Sequence, residues 1–117
     1  MIRHNYKKLK IWQLGLEISK NIYDILSDCP THEKYDLSAQ LSRCSSSITS
    51  NISEGSTSTD KSFSHFIDIS LGSSFELGTQ LLIASHKKYI NIETLKTLED
   101  KLEEFQKMTM GFQNNLN

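Results

Sequence analysis

Apolar residues recur along this chain in steps of three and four, the period of a helix face. In the first run Ile11, Leu14, Ile18, Ile22 and Ile25 keep that step, with Trp12, Leu16, Tyr23 and Leu26 beside them. Together they make one wide helical stripe. Pro30 ends it, because its ring removes a backbone donor and disfavours helical geometry at Cys29. The last run is the clearest. Leu95, Leu98, Leu102, Phe105, Thr109, Phe112 and Leu116 alternate steps of three and four, a heptad seam with charges on the remaining positions. Asn91 is placed to cap that helix, and Glu93 lies in its first turn, where the helix dipole favours an anion.

The middle of the chain looks less regular. Residues 43–58 read RCSSSITSNISEGSTS, and nine of these sixteen are Ser or Thr. The composition suggests a linker, but the spacing does not. Leu37, Leu41, Cys44, Ile48 and Ile52 are separated by four, three, four and four, which a linker has no reason to keep and an amphipathic helix does. Serine hydroxyls compete for backbone groups, so this helix is weak alone and needs tertiary burial. Gly55 is expected to end it as a C-cap glycine. STSTD then turns into a long third helix, capped by Ser58, Thr59 or Asp60. Phe63, Ile67, Leu71, Phe75 or Ser74, Leu77, Leu81 and Ala84 supply its inner face. Gly72 and Gly78 lie inside it at a cost of about 1 kcal/mol each against Ala, which predicts that a backbone or a bulky ring approaches there. The expected helices span about 8–28, 36–54, 60–88 and 92–115. They form a single domain over 1–117: an all-α, antiparallel up-and-down four-helix bundle.

Composition supports that picture and narrows the function. The chain has 117 residues, one Pro and five Gly, which suits long helices better than many strands and turns. Net charge is −1, so no global basic field advertises nucleic acid. The charge is uneven, however: Arg3, Lys7, Lys8 and Lys10 open the chain without an acid. They are candidate phosphate contacts; a solvated terminus is the simpler reading, unless an assembly repeats the cluster around an axis and adds avidity. Cys29 and Cys44 form no CxxC and fit a reducing compartment. There is no apolar signal core and no run long enough to span a membrane. The expectation is a cytoplasmic protein without a membrane partner.

Catalytic and metal-binding patterns are missing from the sequence. A di-metal bundle needs Glu-x-x-His on facing helices, and none occurs. His4, His32, His65 and His86 are scattered without an i, i+4 ligand partner. No phosphate-cradling glycine loop or nucleophile elbow is present. No metal and no cofactor are expected. Cys44 lies on an apolar stripe, where a thiol behaves as a small hydrophobe. One polar set stands out. Gln40, Arg43, Ser47, Asn51 and Glu54 follow steps of three, four, four and three beside the apolar stripe of the second helix. A solvated face is the plain reading. Solvated faces normally carry Lys and Glu, so Gln, Ser and Asn point instead to a hydrogen-bonding row at an interface. Glu54 near a helix C-terminus opposes the dipole and calls for a local partner such as Arg43 from another chain or turn.

Four motifs carry a resemblance: LKIWQ at 9–13, CP..EKY.L..QL.R at 29–43, SITSNISEG at 47–55 and LGSSFEL at 71–77. In this order, over nearly the whole chain, they resemble the bacterial four-helix-bundle family of 23S rRNA intervening-sequence proteins. That family includes the accessory variability determinant of diversity-generating retroelements. The recurrent positions include the polar stripe and Gly72, Ser73 and Glu76. This chain departs from the pattern at Thr49, often Pro, at Ser53 and Ser70, often Ala, and at Gly78, often a carboxylate. The resemblance implies a left-handed antiparallel bundle that assembles into a ring, commonly a pentamer, without an established catalytic activity. The expected function is therefore a non-enzymatic, self-associating scaffold or accessory factor whose main partner is itself. The alternative is an accessory that grips structured RNA or a reverse transcriptase–RNA complex. A third class, an enzyme built around Arg43, Asn51 and Glu54, has least in its favour.

Overall fold

A computed structural model describes residues 4–27 and 36–116. Its helices are α1 (Lys10–Ser27), α2 (Leu37–Ser56), α3 (Asp60–His86) and α4 (Ile92–Leu116), preceded by a 3₁₀ turn at Tyr6–Lys8. There is no strand among the described residues. The expected stop at Cys29–Pro30 and the cation Arg3 lie outside them.

Cap chemistry sets two of the helix starts. Thr59, one of three candidates, accepts a hydrogen bond from Ser62 N (3.2 Å) and opens α3. Asn91 Oδ1 accepts from Thr94 N (2.7 Å) and opens α4. The α3–α4 connection turns through Lys88, whose φ of 63° is left-handed.

Each helix packs on its neighbours in sequence, and α1 closes the ring of four against α4. Residue numbers run in opposite directions across every seam. Gly15 faces Ile48 and Thr49, while Ser19 reaches Ser45. Ser64 meets Gln113, while Ser74 meets Gln106. Lys101 bridges to Glu17 and Asn21 on α1. The bundle is therefore antiparallel, about 48 Å long and 20–23 Å across. Its core is the apolar set read from the sequence: Ile11, Ile18 and Ile22; Leu41, Ile48 and Ile52; Phe63, Ile67, Leu77 and Leu81; Leu98, Leu102 and Phe105. No helix is long and apolar enough to cross a membrane.

Three details differ from expectation. Gly55 does not cap α2, which runs on to Ser56; Gly55 is buried, and a Cβ there would stand 2.7 Å from Phe63 Cδ1 and 2.8 Å from Phe66 Cβ. It is a packing glycine, left without a side chain so that α3 can approach. Gly72 and Gly78 are not close-approach sites: a Cβ at Gly72 would meet nothing within 4 Å, and one at Gly78 only Leu102 Cδ1 at 3.9 Å. Phe75 is half exposed, and Ser74 takes the inward position.

Candidate functional site

The closest seam of the bundle joins α2 and α3. Small side chains make it possible, and hydroxyls close its hydrogen bonds. The buried Ser70 Oγ donates to Ile48 O (2.7 Å) and ties the two backbones together. Ser73 Oγ donates to Ser47 Oγ (2.7 Å), and Asn51 Nδ2 donates to Ser47 O (2.8 Å) and Ser47 Oγ (3.0 Å). Most other serines of α2 bond back along their own helix: Ser45 to Ser42 O, Ser50 to Ser46 O, Ser53 to Ser50 O and Ser56 to Ser53 O. Most hydroxyls that would unravel an isolated helix are thus satisfied inside it; the buried Ser38 Oγ, without a partner among the described residues, is an exception.

Part of the polar row predicted from the sequence comes together. Ser47 and Asn51 form one network, and Ser73 joins it from α3. Arg43, Cys44, Ser47, Ser73 and Glu76 line an open groove of about 350 Å³ over it. Gln40 and Glu54 do not line this groove. Within one chain Glu54 and Arg43 do not pair: both are exposed, neither is in an ion pair among the described residues, and eleven residues on α2 put the two charges three turns apart.

The groove has a definite electrostatic character. Cys44 is buried, and its thiol is pushed up from 9.0 to about 11, first by burial and then by the neighbouring Glu76 charge and a hydrogen bond to that carboxylate. Arg43 opposes the shift only weakly. The thiol is therefore protonated at neutral pH, the unreactive form. No group of three or more metal-ligating side chains occurs among the described residues.

The basic N-terminal residues lie elsewhere. Lys7, Lys8 and Lys10 are exposed and enter no ion pair among the described residues. Lys8 and Lys10 border a separate groove between α1 and α4, floored by Leu9, Ile11, Met108 and Phe112. The segment is fixed by its backbone and rings. His4 N donates to Ser56 O (3.2 Å), and the His4 ring meets Phe63 and Phe112 edge-on. Gln13 Nε2 donates to Lys7 O (2.9 Å), and Tyr6 packs on Trp12. The Trp-Gln pair thus holds the 3₁₀ turn against α1.

One feature of the surface was not read from the sequence. α3 is apolar on two sides. Ile69, Phe75, Leu82 and Ile83 are 40–53% exposed outside its core stripe, Phe75 and Leu82 on one flank and Ile69 and Ile83 further round. The signal was in FIDISLGSSFELGTQLLIA, which has more apolar positions than one helix face holds.

The family model for the 23S rRNA-intervening sequence protein matches residues 7–111. The chain belongs to that family. A solved structure shows the same architecture: a protein of unknown function from the S23 ribosomal protein family of Bacteroides thetaiotaomicron VPI-5482. It superposes with a TM-score of 0.81 over 88% of this chain and 97% of that one, at 20% identity. That likeness establishes the fold. No curated protein matches the chain. The Ser47–Asn51–Ser73 network and the groove over it lie within the matched residues.

Proposed function

We propose that this chain is a non-enzymatic, self-associating bundle that serves as a scaffold or accessory factor. The observation that carries this is the exposed apolar surface of α3. Four large apolar side chains on the outward half of one helix, Phe75 and Leu82 on one line and Ile69 and Ile83 on another, favour burial against a partner. Gly72 points the same way: a helix-interior glycine costs about 1 kcal/mol, and within the chain nothing approaches it. A second copy lying along α3 would make use of that space. The family resemblance supports closure of such contacts into a ring, with five copies as the expected number.

Light scattering at micromolar concentration tests this reading. A discrete oligomer is expected, and Phe75→Glu with Leu82→Glu is expected to yield a monomer of unchanged helicity. A strictly monomeric wild type overturns it.

A second reading, nucleic-acid accessory, is favoured by one observation: Lys7, Lys8 and Lys10 are exposed at one end of the bundle and form no ion pair among the described residues. A ring would repeat them on one face. Binding to a structured RNA should then weaken steeply with salt and vanish on Lys→Glu reversal at the three positions. Binding indifferent to both changes overturns it.

A further inference from the structure

α3 presents large apolar side chains in three directions. Its core stripe faces the middle of the bundle. Asp68, Phe75 and Leu82, at intervals of seven, form a second line, and Ile69, Glu76 and Ile83, also at intervals of seven, form a third. Hydrogen bonds to the neighbouring helices show where each line points. Gln113 Nε2 donates to Asp68 Oδ1 (2.7 Å), so the Phe75–Leu82 line runs beside α4. Ser73, four residues after Ile69, donates to Ser47 Oγ (2.7 Å), so the Ile69–Ile83 line runs beside α2. Met110 extends the first flank. It is 41% exposed and lies between Gln106 and Gln113, which both bond to α3.

The two outer lines differ by one residue, which is about 100° of turn on a helix. That angle separates two kinds of assembly. A closed pair uses one face, the same on both copies, whereas a ring uses two different faces. The directions from one subunit to its two neighbours are about 90°, 108° and 120° apart in rings of four, five and six. The angle on α3 is nearest to that of five. Copies related by a ring axis meet at one level, so Leu82 comes beside the next copy's Ile83, about 1.5 Å away along the helix. Phe75 comes beside Glu76 in the same way. Glu76 is exposed, and Arg43 lines the same open groove, so a cation is at hand when a ring covers its stem. Gly72 and Thr79 lie between the two flanks and would face the ring axis. Small side chains there let the α3 helices crowd together, which accounts for a glycine that meets nothing within 4 Å inside its own chain.

We propose that α3 lines the axis of the assembled ring, with the Phe75–Leu82 flank of each copy packed on the Ile69–Ile83 flank of the next. The proposal rests on the self-association reading and names the two surfaces that meet.

Disulfide trapping tests this packing, because the bond forms only where two Cβ atoms come within about 4.5 Å. Leu82→Cys, Ile83→Cys and the double variant are made in a Cys29→Ser chain; Cys44 is buried. Both positions are exposed within one chain, so the core is untouched, and circular dichroism checks the helicity. After oxidation with copper phenanthroline, each single variant is expected to remain uncrosslinked on a denaturing gel, because position 82 meets position 83 and not its own equivalent. The double variant is expected to give a ladder that runs past the dimer and ends at five. A dimer from either single variant overturns the proposal, and so does a double variant that stops at the dimer. A monomeric wild type in light scattering removes the self-association reading itself. An oligomeric wild type whose double variant gives no crosslink removes only the packing of α3 on α3.

Discussion

A methyl group added at Gly15 would stand 2.8 Å from Thr49 Cγ2 and 3.3 Å from Ile48 Cγ2. Both neighbours are β-branched and stiff, so neither yields easily. Gly15→Ala is expected to lower stability by about 1–2 kcal/mol despite its better helix propensity. Gly55→Ala should cost more, about 2–3 kcal/mol, because one of the crowded atoms is a Cβ of α3. Gly111, with nothing within 4 Å, is the control: Gly111→Ala should gain about 0.5–1 kcal/mol. Urea unfolding orders the three. Thr109 is fully buried in the heptad seam, and its Oγ1 has no hydrogen-bond partner. Thr109→Val keeps the shape and removes the orphan group, so it should raise the unfolding free energy by about 1 kcal/mol. Cys44 makes a prediction in pH. Its folded value lies near 11 against 9.0, so the folded chain holds its proton longer than the unfolded one. The stability due to this thiol is complete below pH 9 and is lost as pH climbs toward 11. Cys44→Ala should flatten that alkaline fall in the urea midpoint between pH 8.5 and pH 10.5.

At the scale of elements, α2 shows how a helix forms against its own composition. Its apolar period was legible, and so was its polar row, because spacing survives where propensity is poor. What the row does was not legible. Ser47 and Asn51 depend on Ser73, which comes from another helix 26 residues from Ser47. Asn51→Ala should therefore lower stability by about 1 kcal/mol, while Arg43→Ala, exposed and unpaired within the chain, should stay within about 0.5 kcal/mol. Thermal unfolding of the two variants checks this contrast. The end of α2 was misread for a physical reason. Glycine after a helix run usually signals a cap, but no described glycine has positive φ. Gly55 is small because Phe63 and Phe66 pack on it, and no local pattern announces that.

In the whole molecule, the same four stripes specify one bundle and leave further apolar side chains of α3 uncovered. Phe75 was an ambiguous position for this reason. Phe75 and Ser74 are adjacent, and only the rotation of α3 against α4 decides which faces in. Gln106 donating to Ser74 Oγ (3.1 Å) marks the side that won. The N-terminal strap is likewise a product of the assembled fold. His4 meets Phe63 and Phe112, which come from α3 and α4. His4→Ala should loosen that end, seen as faster amide exchange at Tyr6–Leu9 with the core unchanged.

Helix number, helix type and the inward faces followed from the sequence alone, because each depends on residues three or four apart on one element. The tertiary structure decided which glycines are close-packed, which of Ser74 and Phe75 is core, and that Arg43 and Glu76 line one groove. Each of these is set by the rotation and separation of two helices distant in the chain, and no spacing within a single helix encodes that quantity.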